Sequence, residues 1–295
     1  MADRQPLDAT AVSVTVLLAL AWGIGHVAAK LAAPGLSLVF QAGLRSVIAT
    51  VLLLAWCMHR GIALWQRDGT LGLGLLSGLL FAIEFLFSFS GLARTDAARM
   101  VVFVYLQPCL SALVLHFLVP QERLTARQGM GIAVAFVGVA LAFGDGLVSD
   151  RGTLLGDFFG VMAALFWAAL TVLVRATRLG AASPAKVLFY QIAVSGPPLL
   201  AASWALGEPG VIQLTPTVVA AFAYQCIVVA FISFLAWFWL FGRYLAYRLG
   251  VFTFLTPIFG VLGGVFVLGE PLTPQFAAAA ALVGAGILLV NLRKN

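Results

Sequence analysis

LAWGIGHVAAK, residues 20–30, and LFWAALTVLVR, residues 165–175, share a leucine, a tryptophan two positions on and a terminal base, at an offset of 145. Further along, Arg94, Arg99 and Pro108 recur as Arg243, Arg248 and Pro257 at an offset of 149, and Glu122, Leu124 and Thr125 recur as Glu270, Leu272 and Thr273 at 148. Order and spacing hold throughout, so the chain reads as two copies of one unit, residues 1–147 and 148–295.

Each copy is built from runs long enough to cross a lipid bilayer. Of the 295 residues 62% are apolar and 9% charged, against about 25% charged in ordinary soluble domains. So few charges cannot coat a water-soluble surface, and most of the exterior must meet lipid. About 20 apolar residues span the hydrocarbon core, and the chain divides into ten such pieces. They are Thr10–Leu31, Ser37–Met58, Gly69–Gly91, Ala97–Leu118 and Leu124–Phe143, then Thr153–Ala176, Pro184–Leu206, Pro216–Phe241, Leu245–Leu268 and Thr273–Leu292. Five spans per copy is an odd number, so the second copy enters the membrane from the opposite face. The expected fold is an all-α integral membrane protein of ten transmembrane helices built from two inverted five-helix repeats. Such halves give inward- and outward-open states of similar energy, with a site between them.

Charge sets the orientation. With the N-terminus inside, twelve basic residues, among them Arg60, Arg123, Arg175, Arg178 and Lys186, fall on the cytoplasmic side. Four, Lys30, Arg94, Arg99 and Arg151, fall opposite, and Arg45 lies within the second span. This bias and the even span count place both termini in the cytoplasm, in a bacterial inner membrane. The net charge of +6 comes from bases scattered singly between apolar runs, which argues against nucleic acid as a partner. The first apolar run has no basic leader and continues past Trp22 and His26, so it reads as a retained helix. Cys57, Cys109 and Cys226 lack the short pairings that bind metal or form a redox motif. No metal or other cofactor is expected.

The repeat also nominates a site: cavity residues should occupy matched places in both halves near mid-depth. Six pairs qualify, Trp22 with Trp167, His26 with Thr171, Glu84 with Ser233, Ser88 with Trp237, Tyr105 with Phe254, and Gln107 with Thr256. Glu84 lies ten residues before Arg94, about 15 Å along a helix and hence near the bilayer centre. An intramembrane carboxylate is costly and marks a candidate proton or cation site, or else a structural pair with Arg45. Arg45 itself reads better as structural. His26 reads either as a substrate contact or as a helix-packing partner. His59 and His116, near span ends, read as solvated, and Phe276 of the tenth span as facing lipid. Pro108 and Pro257 each remove a mid-span hydrogen bond and are candidate hinges. Gly74 with Gly78, and Gly260 with Gly264, have the GxxxG spacing of close helix contacts, within the chain or across a dimer seam. Monomer and homodimer both remain open.

Several of these segments resemble the EamA-type branch of the drug/metabolite transporter superfamily, over nearly the whole chain in two copies. They are LAWGIGHVAAK in span one, YLQP before the PQERLT loop, FLTP before GEPLT, and the glycine-rich last span ending in NLRK. A weaker likeness to the superfamily's aromatic amino-acid exporters lies in LLFAIEF of span three and VYLQP of span four. The resemblance implies ten helices, cytoplasmic termini and a central cavity lined by spans 1, 3, 4, 6, 8 and 9. It further implies export of a small molecule rather than catalysis. The expected cargo is a small amphipathic metabolite, an amino acid before a cationic drug, because His26, Gln107, Thr171, Ser233 and Thr256 supply polar groups beside the aromatics. A membrane enzyme would need a catalytic constellation, and no HExxH, GxSxG or GxxxxGK[ST] motif occurs. A channel would want rings of charge or carbonyl filters.

Overall fold

A computed structural model describes residues 8–66, 68–119, 123–149, 151–244 and 251–291, without the side chains of 146–149, 151, 238, 241, 242, 251, 254 and 291. Glu122, Arg248 and the Phe254 side chain therefore lie outside the described residues. Among those described there is no strand, only a bridge between Leu36 and Val211. The helices are α1 (Ala9–Ala32), α2 (Leu38–His59), α3 (Leu71–Leu92), α4 (Ala97–Val104), α5 (Gln107–Leu118) and α6 (Ala126–Ser149) in the first copy. The second copy supplies α7 (Arg151–Ala176), α8 (Pro184–Ala205), α9 (Pro216–Ala223), α10 (Ser233–Arg243), α11 (Leu255–Leu268) and α12 (Pro274–Asn291). Eight spans are long and apolar enough to cross a membrane outright, and α11 and α12 are shorter apolar helices. With them the chain has its ten spans in two inverted repeats.

Helix starts are written locally. Asp8 accepts from the Ala11 amide at 2.7 Å to cap α1, and Ser183 and Thr215 cap α8 and α9, each followed by proline in the first turn, where the missing N–H costs nothing. Two caps come from far away. Glu208 accepts from the Val39 and Phe40 amides at 3.0 and 2.9 Å, and Glu270 from Ala97 and Ala98 at 2.7 and 2.9 Å. Carboxylates of the second copy thus satisfy the free amides, and meet the positive dipole ends, of α2 and α4 in the first. In the connection before α3, Lys186 and the Thr70 hydroxyl hold the Asp68 carboxyl well below the usual carboxylate range, with Lys186 Nζ at 2.8 Å.

The two copies clasp one another. Span one packs on span nine (α1 on α11), and its repeat counterpart, span six, packs on span four (α7 on α4 and α5). Span two lies against span seven and span five against span ten. The glycines permit this: Gly74 and Gly78 face Tyr190 and Val194 of α8, while Gly260 and Gly264 face Val101 and Ala98 of α4. Of the two uses open to these GxxxG pairs, contact within the chain is the one found. One close approach is at Gly23, where a β-carbon would stand 2.6 Å from the Thr256 carbonyl and 2.8 Å from the Gly260 nitrogen. Gly23→Val should therefore lose about 1–3 kcal/mol of stability by overpacking, read as a lowered melting temperature in detergent. Gly72→Ala, which meets nothing within 4 Å, should melt as the wild type does, and equal melting of the two variants would contradict this packing.

Three spans are not continuous α-helices. Span four breaks at Tyr105 and Leu106, so Pro108 falls in the first turn of α5; span nine has a 3-10 turn, Val251–Phe254, so Pro257 falls in the first turn of α11. Both prolines thus start a second helical segment, where no N–H is wanted, rather than bend a continuous one. Span eight is π-helical over Tyr224–Ile232, a rare winding that is frequent at functional sites.

Two sequence expectations are corrected. Phe276 does not face lipid: it is 2% exposed, because α12 lies along α6 and buries that face, and the Arg99 guanidinium sits 4.8 Å above its ring. His116 is not merely solvated, since its Nδ1 accepts from the Leu124 amide at 2.9 Å and fastens the turn after α5.

Arg99, counted above as an end-of-span base, is buried in an ion cluster. It pairs with Asp145 of α6 at 2.6 Å and with Asp157 of α7, and donates to the Ala142 carbonyl at 2.7 Å. Thr95 donates to Asp157 and Thr273 to Asp145. The inverted repeat is visible atom by atom here. Thr95 to Asp157 at 2.8 Å and Tyr244 to Asp8 at 2.8 Å involve residues displaced by the same offset of 149 and lie at opposite ends of the bundle.

Candidate functional site

The nominated residues gather into three adjoining groups. In the first, Trp22 of α1 donates through Nε1 to Ser233 Oγ at 2.8 Å and meets the Trp237 ring edge-on, centroids 5.3 Å apart. In the second, Tyr105 meets Trp167 edge-on at 5.5 Å, and Gln107 donates to the Thr171 hydroxyl at 2.8 Å. Thr256, fully buried on α11, joins them: its hydroxyl neighbours that of Tyr105, and its carbonyl abuts Gly23 beside Trp22. The third lies one turn further along α1, where His26 Nε2 and Ser88 Oγ of α3 are 3.3 Å apart. Glu84, 5% exposed, is one turn from Ser88 on the same helix face.

Secondary structure explains the placement. The break at Tyr105 and Leu106 turns Tyr105 and Gln107 toward α7, because α4 and α5 need not share one axis. The π-helical stretch of span eight presents Gln225, fully buried, to α2, where its Nε2 donates to Gln41 Oε1 at 3.0 Å. Gln41 in turn donates to the Ala29 and Leu36 carbonyls. Gln41 and Gln225 are not among the repeat-matched pairs, and Arg45 reads from the sequence as structural. Their signal in the sequence was polarity inside an apolar run, which points to burial without naming a partner.

Such a surface suits binding rather than bond-breaking. Aromatic faces bury apolar groups at low entropic cost, and hydroxyl, amide and imidazole groups beside them orient a polar end. Among the described residues no three His, Cys, Asp or Glu side chains come together as metal ligands do. A groove of about 520 Å³ between α1 and α9 is lined by apolar side chains such as Ile24, Ala28 and Ala221 and touches none of the three groups.

Two inverted five-helix copies, clasped so that aromatic and polar side chains of both meet inside the bundle, define a multi-pass membrane transporter. The chain belongs to the EamA-like transporter family, whose model matches it twice, over residues 9–144 and 154–292. It is 24% identical, over 94% of its length and 93% of the relative's, to a "Probable amino-acid metabolite efflux pump" of Salmonella typhimurium. It is also 25% identical, over 99% and 94%, to the "Uncharacterized transporter YvbV" of Bacillus subtilis. A WAT1-related chloroplastic protein of Arabidopsis thaliana is 28% identical over 92% of this chain and 66% of its own. A solved crystal structure superposes with a TM-score of 0.67 at 22% identity, covering 95% of this chain and 97% of that one, which establishes likeness of fold.

Proposed function

We propose that this chain is a secondary transporter that exports small amphipathic metabolites, amino acids foremost, by alternating access around the residues at mid-membrane. One observation carries this reading: Trp22, Trp237 and Ser233 stand beside His26, Ser88 and Glu84 inside the bundle, an apolar wall next to polar groups at a depth where lipid-facing residues would be apolar. Two relatives, each named "Probable amino-acid metabolite efflux pump", of Salmonella typhimurium and Escherichia coli, support the same cargo. The halves 1–147 and 148–295 are the bodies that rock, with Pro108 and Pro257 as their hinges, and both termini are cytoplasmic.

Purified protein in liposomes, given a panel of amino acids and of cationic dyes with and without a pH gradient, should move at least one amino acid. Movement of dyes alone would assign the fold to drug export. Movement of neither, by protein verified to be folded, would remove the reading. Reporter fusions should place Asn295 and the 177–183 connection on the cytoplasmic side, and either found outside would overturn the orientation.

A further inference from the structure

Among the described residues, Arg45 is a buried base that the structure leaves without a counter-ion. It sits on the inward face of α2, on one line with Ala42, Ser46 and Ala49, and is 7% exposed. Its guanidinium lies 4.3 Å from the centre of the Phe85 ring and 5.2 Å from that of Phe89. Among the described residues it makes no hydrogen bond and no ion pair. The contrast with Arg99 is sharp, because that guanidinium is saturated by Asp145, Asp157 and a backbone carbonyl. Glu84 is near enough for its charge to be felt at Arg45 yet does not close on it. His26, which also feels Arg45, has its Nδ1 buried without a hydrogen-bond partner.

Charges buried in a protein are usually paired, so a guanidinium left unpaired calls for an explanation. A guanidinium offers five N–H donors in a planar fork that fits a carboxylate through two parallel bonds. The two phenylalanines hold the plane of that fork and take none of its donors. Glu84, kept apart from it, is left to receive an ammonium. A guanidinium and a carboxyl group held apart beside aromatic walls match a molecule with both charges and an apolar body.

We propose that Arg45 is the residue that recognises the substrate's carboxylate, with Glu84 facing the ammonium end. This rests on the amino-acid reading of the site and names the contact that selects acids over their neutral derivatives. A lysine at this position would keep the charge and lose the fork.

The test is calorimetric binding to purified full-length protein of the twenty proteinogenic amino acids, followed by the carboxamide of whichever binds tightest. The wild type should prefer the acid to its carboxamide by about ten- to a hundredfold, the range of a charge-assisted pair. Arg45→Gln should erase most of that preference, and Arg45→Lys, which keeps the charge and loses the fork, should retain only part of it. A folded Arg45→Gln protein that kept the preference would overturn the inference, and so would an undiminished preference in Arg45→Lys or a wild type that did not distinguish acid from carboxamide. If Arg45→Gln does not fold, Arg45→Lys and the wild-type comparison still decide. Binding of no amino acid would overturn it together with the amino-acid reading, and dye movement in the liposome assay would then show that the exporter reading survives.

Discussion

Arg99→Met should cost the folded protein about 3–5 kcal/mol, the range for breaking a buried ion pair by removing one partner. The loss is large because two carboxylates stay behind: Asp157, fully buried, and Asp145, 8% exposed, both deprived of the guanidinium that neutralised them. The cluster also ties α4 and α6 of the first copy to α7 of the second, and reaches α12 through Thr273, so its failure loosens the contact between halves. Melting in detergent should fall by about 6 °C or more, taking roughly 2 °C per kcal/mol for a chain of this size. Asp157→Asn should fall less, since an amide can still accept from Arg99 and Thr95. A melting temperature within about 2 °C of wild type for Arg99→Met would mean that the cluster contributes no net stability, as some buried ion pairs do not.

Trp22→Ala and Trp167→Ala should each weaken substrate binding roughly ten- to a hundredfold, about 1.5–3 kcal/mol for losing a large apolar contact, and slow efflux accordingly without preventing insertion. The two losses should differ in kind. Trp22→Ala also strips Ser233 of its donor, whereas Trp167→Ala removes the ring against Tyr105 and leaves Gln107 bonded to Thr171. Phe266→Ala is the proper control, because Phe266 is 80% exposed and Phe276 is not. Unchanged transport by both tryptophan variants, in protein shown to be folded, would remove the central site.

These residues also mark how far the sequence reaches. Trp22, Trp167, Tyr105 and Gln107 were found by their depth and by their matches across the repeat, and the structure brings them inside the bundle. Arg45, inside its span, reads from the sequence as structural, and Gln225 is not among the repeat-matched pairs. Phe276 was placed on the wrong side of its helix. Hydropathy gives no face to a span that is apolar all round, because lipid tails and a protein interior are equally apolar. Burial of Phe276 follows from how α12 lies on α6, a rotation that its own composition does not specify.

The sequence by itself determined the ten spans, the two copies and their inversion. Each of these follows from local composition and counting, since a backbone in hydrocarbon must satisfy its own hydrogen bonds as helix and an odd number of crossings reverses direction. Only the tertiary structure decided which charges are matched. Arg99 meets Asp157 across 58 residues, whereas Arg45 meets no carboxylate among the described residues. The difference lies in the rotation of each helix about its axis and in the neighbour it packs against, which for α2 is α8, where Gly43 lies against Leu200.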